Sequence, residues 1–155
     1  MQVHYILIPL IAIAVVMAGS LITRSGIPWF RTLRIPSWMP PAKIITGMWT
    51  ILSVLTCVSA ILAWDASPVR ERGEVAALYL VNAFLNVAFS YLFFVQHQMG
   101  SATLDAALLA ISVATIMVQV FSASWIAALL LAPYLLWVLF ATYLSFTVFR
   151  LNARS

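Results

Sequence analysis

The sequence predicts an all-α fold, an integral membrane bundle of five transmembrane helices forming a single domain over residues 1–155. Three observations predict it. Of the 155 residues, 65% are hydrophobic and only 8% are charged, whereas soluble domains carry roughly 25% charge and 45–50% apolar residues. Mean hydropathy is +1.07. The apolar residues also gather into five runs, each close to the ~20 residues that cross a hydrocarbon core of ~30 Å.

The first run covers 5–23. Its opening, "HYILIPLIAIAVVMAGS", has the apolar stretch and small-residue end of a signal peptide but lacks the basic n-region. It is therefore expected to be a retained first helix. Ala14, Ala18 and Gly19 give it a small-residue face suited to close helix packing or a dimer contact. The second run covers 44–64, the third 75–95, the fourth 102–121 and the fifth 125–149. The connectors at 96–101 and 122–124 are short enough to make spans three, four and five antiparallel neighbours. Pro133 interrupts the fifth run and frees a backbone carbonyl that neighbours must satisfy.

The first connector, 24–43, is unlike the others. It carries Pro28, Pro36, Pro40 and Pro41 with Trp29, Phe30 and Trp38. Proline fixes φ and restrains the residue before it, so Pro40-Pro41 makes a stiff, non-helical approach to the second span. Such an elbow reads either as an aromatic belt with a helix stop or as a lid over the mouth of the bundle, since a stiff loop loses less entropy on closing.

An odd number of spans puts the termini on opposite sides. Arg70 and Arg72 fall on the N-terminal side; Arg24, Arg31, Arg34, Lys43, Arg150 and Arg154 fall on the other. The positive-inside rule then places the elbow and C-terminus in the cytoplasm and the N-terminus outside. The net charge of +4 has this origin and does not indicate nucleic-acid binding.

Polar residues inside a membrane are costly and mark function or helix pairing. In the third span Asn82, Asn86, Phe89, Ser90 and Phe93 share one helical stripe. The amides serve either as glue between helices or as hydrogen-bonding groups in a cavity with aromatic walls. In the second span Thr46, Trp49, Thr50, Ser53 and Thr56 form a stripe in which Trp49 is the informative member, because its N–H needs a partner or its ring a surface. In the fifth, Trp137, Phe140, Ala141 and Ser145 combine rings with space.

Asp105 is the one acid well inside the apolar runs, near the interface or paired across helices. His4 and His97 lie at span ends, and Cys57 is a lone thiol in an apolar run. No metal site, resident cofactor or conventional catalytic constellation emerges from these residues.

At this point the chain resembles a known family. The elbow "PSWMPP", the "GMW" of the second span, "NAFLNVAFSYLFF" in the third and "APYLLWVLFATYLSF" in the fifth are similar to the blocks of the tryptophan-rich sensory protein/translocator protein family, TspO/MBR, in a bacterial-type member. The resemblance implies a five-helix bundle, a homodimer, and a pocket under the first connector for porphyrins and other hydrophobic small molecules. Carried over by position, the ligand-binding residues are Phe30, Trp38, Trp49, Asn82, Asn86, Phe89, Ser90, Trp137, Phe140 and Ala141. It also implies the bacterial cytoplasmic membrane, and porphyrin as ligand or substrate rather than as cofactor. The C-terminal segment departs from the sterol-recognition pattern of animal members: Phe146 holds the tyrosine register, and six residues separate Tyr143 from Arg150, one beyond the allowed spacing. Arg31, Arg34 and Lys43 flank the elbow and could meet porphyrin propionates.

Two functions follow from this reading. One is binding, in tetrapyrrole transport, sensing or regulation. The alternative is light-dependent porphyrin degradation, with Trp49 and Trp137 as the redox-active, catalytic residues.

Overall fold

The computed structural model describes residues 2–153, and among these every regular element is helical. Arg154, one of the basic residues used for the orientation, lies outside them. The elements are α1 (His4–Phe30), α2 (Ala42–Ala66), α3 (Arg72–Phe94), α4 (Met99–Phe121), α5 (Trp125–Leu130) and α6 (Ala132–Asn152). Five stretches are long and apolar enough to cross a membrane; the fifth, Trp125–Asn152, combines α5 and α6. The spans close into a ring in which α1 packs on α2 and α3, α3 on α4, and α4 on the fifth span, which returns to α2.

The first helix runs seven residues beyond the expected end, through Gly26 and Pro28. Both residues suggest a stop, and tertiary packing overrides them. Gly26 is buried where α1 meets α3: a Cβ there would stand 2.9 Å from Phe94 Cα and closer still to its carbonyl oxygen. Trp29 then stacks on His97 at 4.0 Å and meets Phe93 edge-on, while Phe30 tilts against Phe93 and Phe94. His97 itself turns the α3–α4 connector with φ 56°, a left-handed conformation uncommon for a non-glycine residue. Pro28 lacks an N–H, so the Arg24 carbonyl loses its usual partner one turn back.

The second helix starts directly after Pro41, whose extended ψ of 147° keeps the elbow out of the helix. The break between α5 and α6 comes at Leu131, two residues before Pro133. There the Leu131 N–H turns to Ala128 O, and the Ala127 carbonyl accepts instead from Ser59 Oγ at 2.7 Å. Ser59 also meets Tyr79 OH at 2.7 Å. One buried serine thus ties α2 to α3 and to the broken fifth span.

Packing is uneven around the ring. The fourth helix holds the largest buried share, with Ala102, Leu109, Val113, Ile116 and Val120 enclosed by its neighbours. Thr103 and Ser145 bond across α4 and α6 at 2.9 Å. The first helix buries only His4 and Gly26. Its two ends are nonetheless fixed, at Gly26 and at a polar clamp. His4 Nε2 lies 2.8 Å from Asp65 Oδ1, and Tyr5 OH donates to Asp65 Oδ2 at 2.8 Å. His4 is therefore an interhelical contact rather than the surface residue its position suggests.

Candidate functional site

Between the loosely packed first helix and the rest of the ring lies a cavity of about 980 Å³, at the upper end of the range for small-molecule sites. Each helix brings to it the stripe that its periodicity aligns. From α3 come Asn82, Asn86, Phe89 and Ser90. From α2 come Thr46, Trp49, Thr50, Ser53 and Thr56. Trp137, Phe140 and Ala141 arrive from α6, and Phe30 from the end of α1. Nine of the ten residues assigned to a ligand from sequence therefore face one space.

Trp38 does not line it. Its ring stacks on Tyr143 at 5.5 Å and meets Phe140 edge-on at 6.0 Å, and it remains 44% exposed. The elbow is fastened to α6 a second time by Asn152. Its Oδ1 accepts from Arg34 N and its Nδ2 donates to Arg34 O, both at 2.9 Å. Arg31, Arg34 and Lys43 likewise lie outside the cavity wall; Met39 is the elbow residue that reaches it.

The two asparagines differ in what they do. Asn82 is 3% exposed; its Nδ2 donates to Ser112 Oγ at 2.7 Å and its Oδ1 accepts from Tyr134 OH at 3.1 Å. It is fully engaged in joining α3 to α4 and α6. Asn86 Nδ2 donates to the same Tyr134 oxygen at 3.1 Å, which leaves its carbonyl free to face the cavity. Tyr134 is the residue that reading by sequence misses. It sits in "APYLLW" beside the proline, and its helical spacing to Trp137 and Ala141 was the signal available.

Aromatic rings and one amide give the cavity chemical character. Trp137 Nε1 is buried with no hydrogen-bond partner among the described residues, although an indole N–H enclosed by protein normally finds one. Trp49 stands edge-on to Tyr134 at 6.2 Å, and Trp137 packs on Phe140 at 5.3 Å. The wall is thus aromatic and mostly apolar, with one unused amide carbonyl, while the Trp137 N–H is shut away from the cavity space. Asp105 takes no part: it is 7% exposed in α4, its Oδ2 has no hydrogen-bond partner among the described residues, and it does not reach the cavity.

The sequence model of the TspO/MBR family matches residues 6–151. The chain belongs to the TspO/MBR family. Among curated relatives it is 37% identical to the tryptophan-rich protein TspO of Bacillus cereus over 126 residues, 80% of each chain. It is 34% identical to the TspO of Chlorobaculum tepidum, over 92% of this chain and 91% of that one. The human translocator protein is 34% identical over 82% of this chain and 76% of its own. Membership and five spanning helices together make this TspO/MBR protein a multi-pass integral membrane protein.

Proposed function

We propose that this protein binds porphyrins, or similarly flat hydrophobic tetrapyrroles, in the cavity between α1, α2, α3 and α6, and acts in their transport, sensing or regulation. The observation that carries the reading is the aromatic, mostly apolar wall that Trp49, Phe89, Trp137 and Phe140 give to a cavity of about 980 Å³. A flat macrocycle stacks on indole and phenyl faces, and a pyrrole N–H on it would donate to the Asn86 carbonyl. The protein would sit as a homodimer in the bacterial cytoplasmic membrane, N-terminus out and C-terminus in. Titrating purified protein with protoporphyrin while following tryptophan fluorescence tests the binding. Saturable quenching is expected; quenching no greater than that of free tryptophan at equal absorbance rejects it.

A second reading is light-dependent porphyrin degradation. It is favoured by the presence of both Trp49 and Trp137 on the same wall. An indole can pass one electron to a photoexcited porphyrin, leaving an indole radical cation and a porphyrin radical anion. Trp49→Phe and Trp137→Phe keep an apolar wall and remove the easily oxidised ring. The degradation reading requires porphyrin affinity within a few-fold of the parent and a much slower light-driven loss of porphyrin absorbance. Bleaching by the parent no faster than in detergent alone leaves binding as the function.

A further inference from the structure

The charges of the cavity wall are sparse and one-sided. Among the described residues it carries two permanent cations, Arg24 and Arg72, and no carboxylate. Arg72 is already engaged: its Nε donates to Ser67 O at 3.2 Å and its guanidinium lies 5.6 Å from the Trp64 ring centroid. Arg24 has no hydrogen bond or ion pair to any described residue. It stands six residues before the end of α1, about 9 Å along the axis at 1.5 Å per residue.

We propose that Arg24 anchors an acidic group on one edge of the ligand, so that the cavity selects flat apolar acids over their neutral counterparts. The inference deepens the tetrapyrrole reading and rests on it for the identity of the ring. A carboxylate taken into an apolar cavity is costly unless it is paired, and no other unengaged cation faces this one. A guanidinium suits the role because its planar fork meets a carboxylate with two parallel hydrogen bonds and is more weakly hydrated than an ammonium. The Arg24 position also fits the aromatic wall: with the acid held at the elbow end, the ring extends toward Trp49, Asn86 and Trp137. The elbow cations Arg31, Arg34 and Lys43 lie off the wall and have no part in the selection.

The test compares protoporphyrin IX with its dimethyl ester, which keeps the ring and removes the charge. Binding to the parent, to Arg24→Gln and to an Arg31→Gln/Arg34→Gln/Lys43→Gln triple variant is measured in the same micelles. Parinaric acid and its methyl ester repeat the contrast on an unrelated apolar skeleton. Arg24→Gln is expected to weaken the free acids about tenfold, the scale of a charge-assisted pair, and to leave both esters within about twofold. The triple variant should keep the parent's preference for acids. The proposal is overturned if Arg24→Gln weakens acid and ester alike, if it weakens neither, or if the triple variant alone abolishes the preference; Arg24 is then a side chain reaching for the interface. If the parent binds neither porphyrin but shows an Arg24-dependent preference for parinaric acid, the tetrapyrrole reading fails and the Arg24 assignment stands. Where Arg24→Gln does not purify folded, Arg24→Met is measured in its place by the same acid–ester contrast, and the same outcomes decide.

Discussion

Asn82 and Asn86 are one turn apart on the same stripe, yet replacing each with leucine should have opposite consequences. The decisive quantity is which buried polar atom is left without a partner. In Asn82→Leu, Ser112 Oγ still donates to Leu109 O at 2.9 Å, but the Tyr134 O–H, 4% exposed, loses its acceptor. An orphaned buried donor costs ~1–3 kcal/mol, and interhelical bonds in membranes average ~0.6 with a maximum near ~1.7 kcal/mol. Together these put the loss at about 1–2 kcal/mol, or a melting temperature lower by ~2–8 °C for a chain of this size. In Asn86→Leu only the 3.1 Å bond to Tyr134 disappears. Tyr134 keeps Asn82 as its acceptor, so nothing is orphaned, and the cost should stay below ~0.6 kcal/mol, ~2 °C at most. Porphyrin affinity should move the other way: about fivefold weaker for Asn86→Leu if the amide bonds the ligand, and little changed for Asn82→Leu wherever it remains folded. The assays are thermal unfolding in detergent and fluorescence titration on the same preparations. Equal melting shifts for the two variants would refute the division of labour.

A reporter active only in the cytoplasm, fused after the C-terminus, should be active; activity confined to an outside reporter reverses the orientation read from the basic residues. Gly26→Ala should lower the melting temperature by several degrees, because its methyl must push α1 from the Phe94 backbone at a cost of ~1–3 kcal/mol; an unchanged value means that the two helices are not held at that separation. Asp65→Ala leaves His4 and Tyr5 without their shared acceptor, so backbone amides at the start of α1 should exchange with solvent faster while those of α4 do not change. Asn152→Ala removes both bonds to the Arg34 backbone and should speed ligand release at least several-fold in stopped-flow fluorescence without altering the cavity wall; an unchanged release rate means that the elbow does not gate the cavity.

Hydropathy alone made the spans legible, because five runs of the right length leave few other assignments. Ends were less legible. Gly26 and Pro28 read locally as a stop, and only the Phe94 backbone, distant in sequence, explains why α1 continues past them. The stripes on α2, α3 and α6 were legible because one period of 3.6 residues decides which side chains share a face. What they face was not, and so Asn82 and Asn86 could not be separated until Tyr134 and Ser112 were located. The His4–Asp65 clamp was within reach of sequence reading, since an antiparallel first pair of spans brings the start of one beside the end of the next. Trp38 shows the opposite limit: position in the elbow block says nothing of which side of α6 its ring will choose.

That choice bears on how a ligand could reach the cavity. Trp38 packs on Tyr143, on the outward side of α6, and Asn152 grips the elbow backbone further along the same helix. The elbow is therefore strapped to the fifth span at two points, and its contact with the cavity is through Met39. Releasing it means breaking two hydrogen bonds of ~1 kcal/mol each and an aromatic pair of ~0.5–1.5 kcal/mol. A gap of about 3 kcal/mol leaves the elbow open somewhat under ~1% of the time. The opposite wall is strapped at its ends alone: α1 is held at one end by the His4 and Tyr5 bonds to Asp65 and at the other by Gly26 and the Trp29 and Phe30 ring contacts, and it buries nothing between them. The middle of the first helix is thus the compliant part of the cavity wall. An apolar acid arriving from the bilayer would meet the compliant side first, and Arg24 stands on that helix.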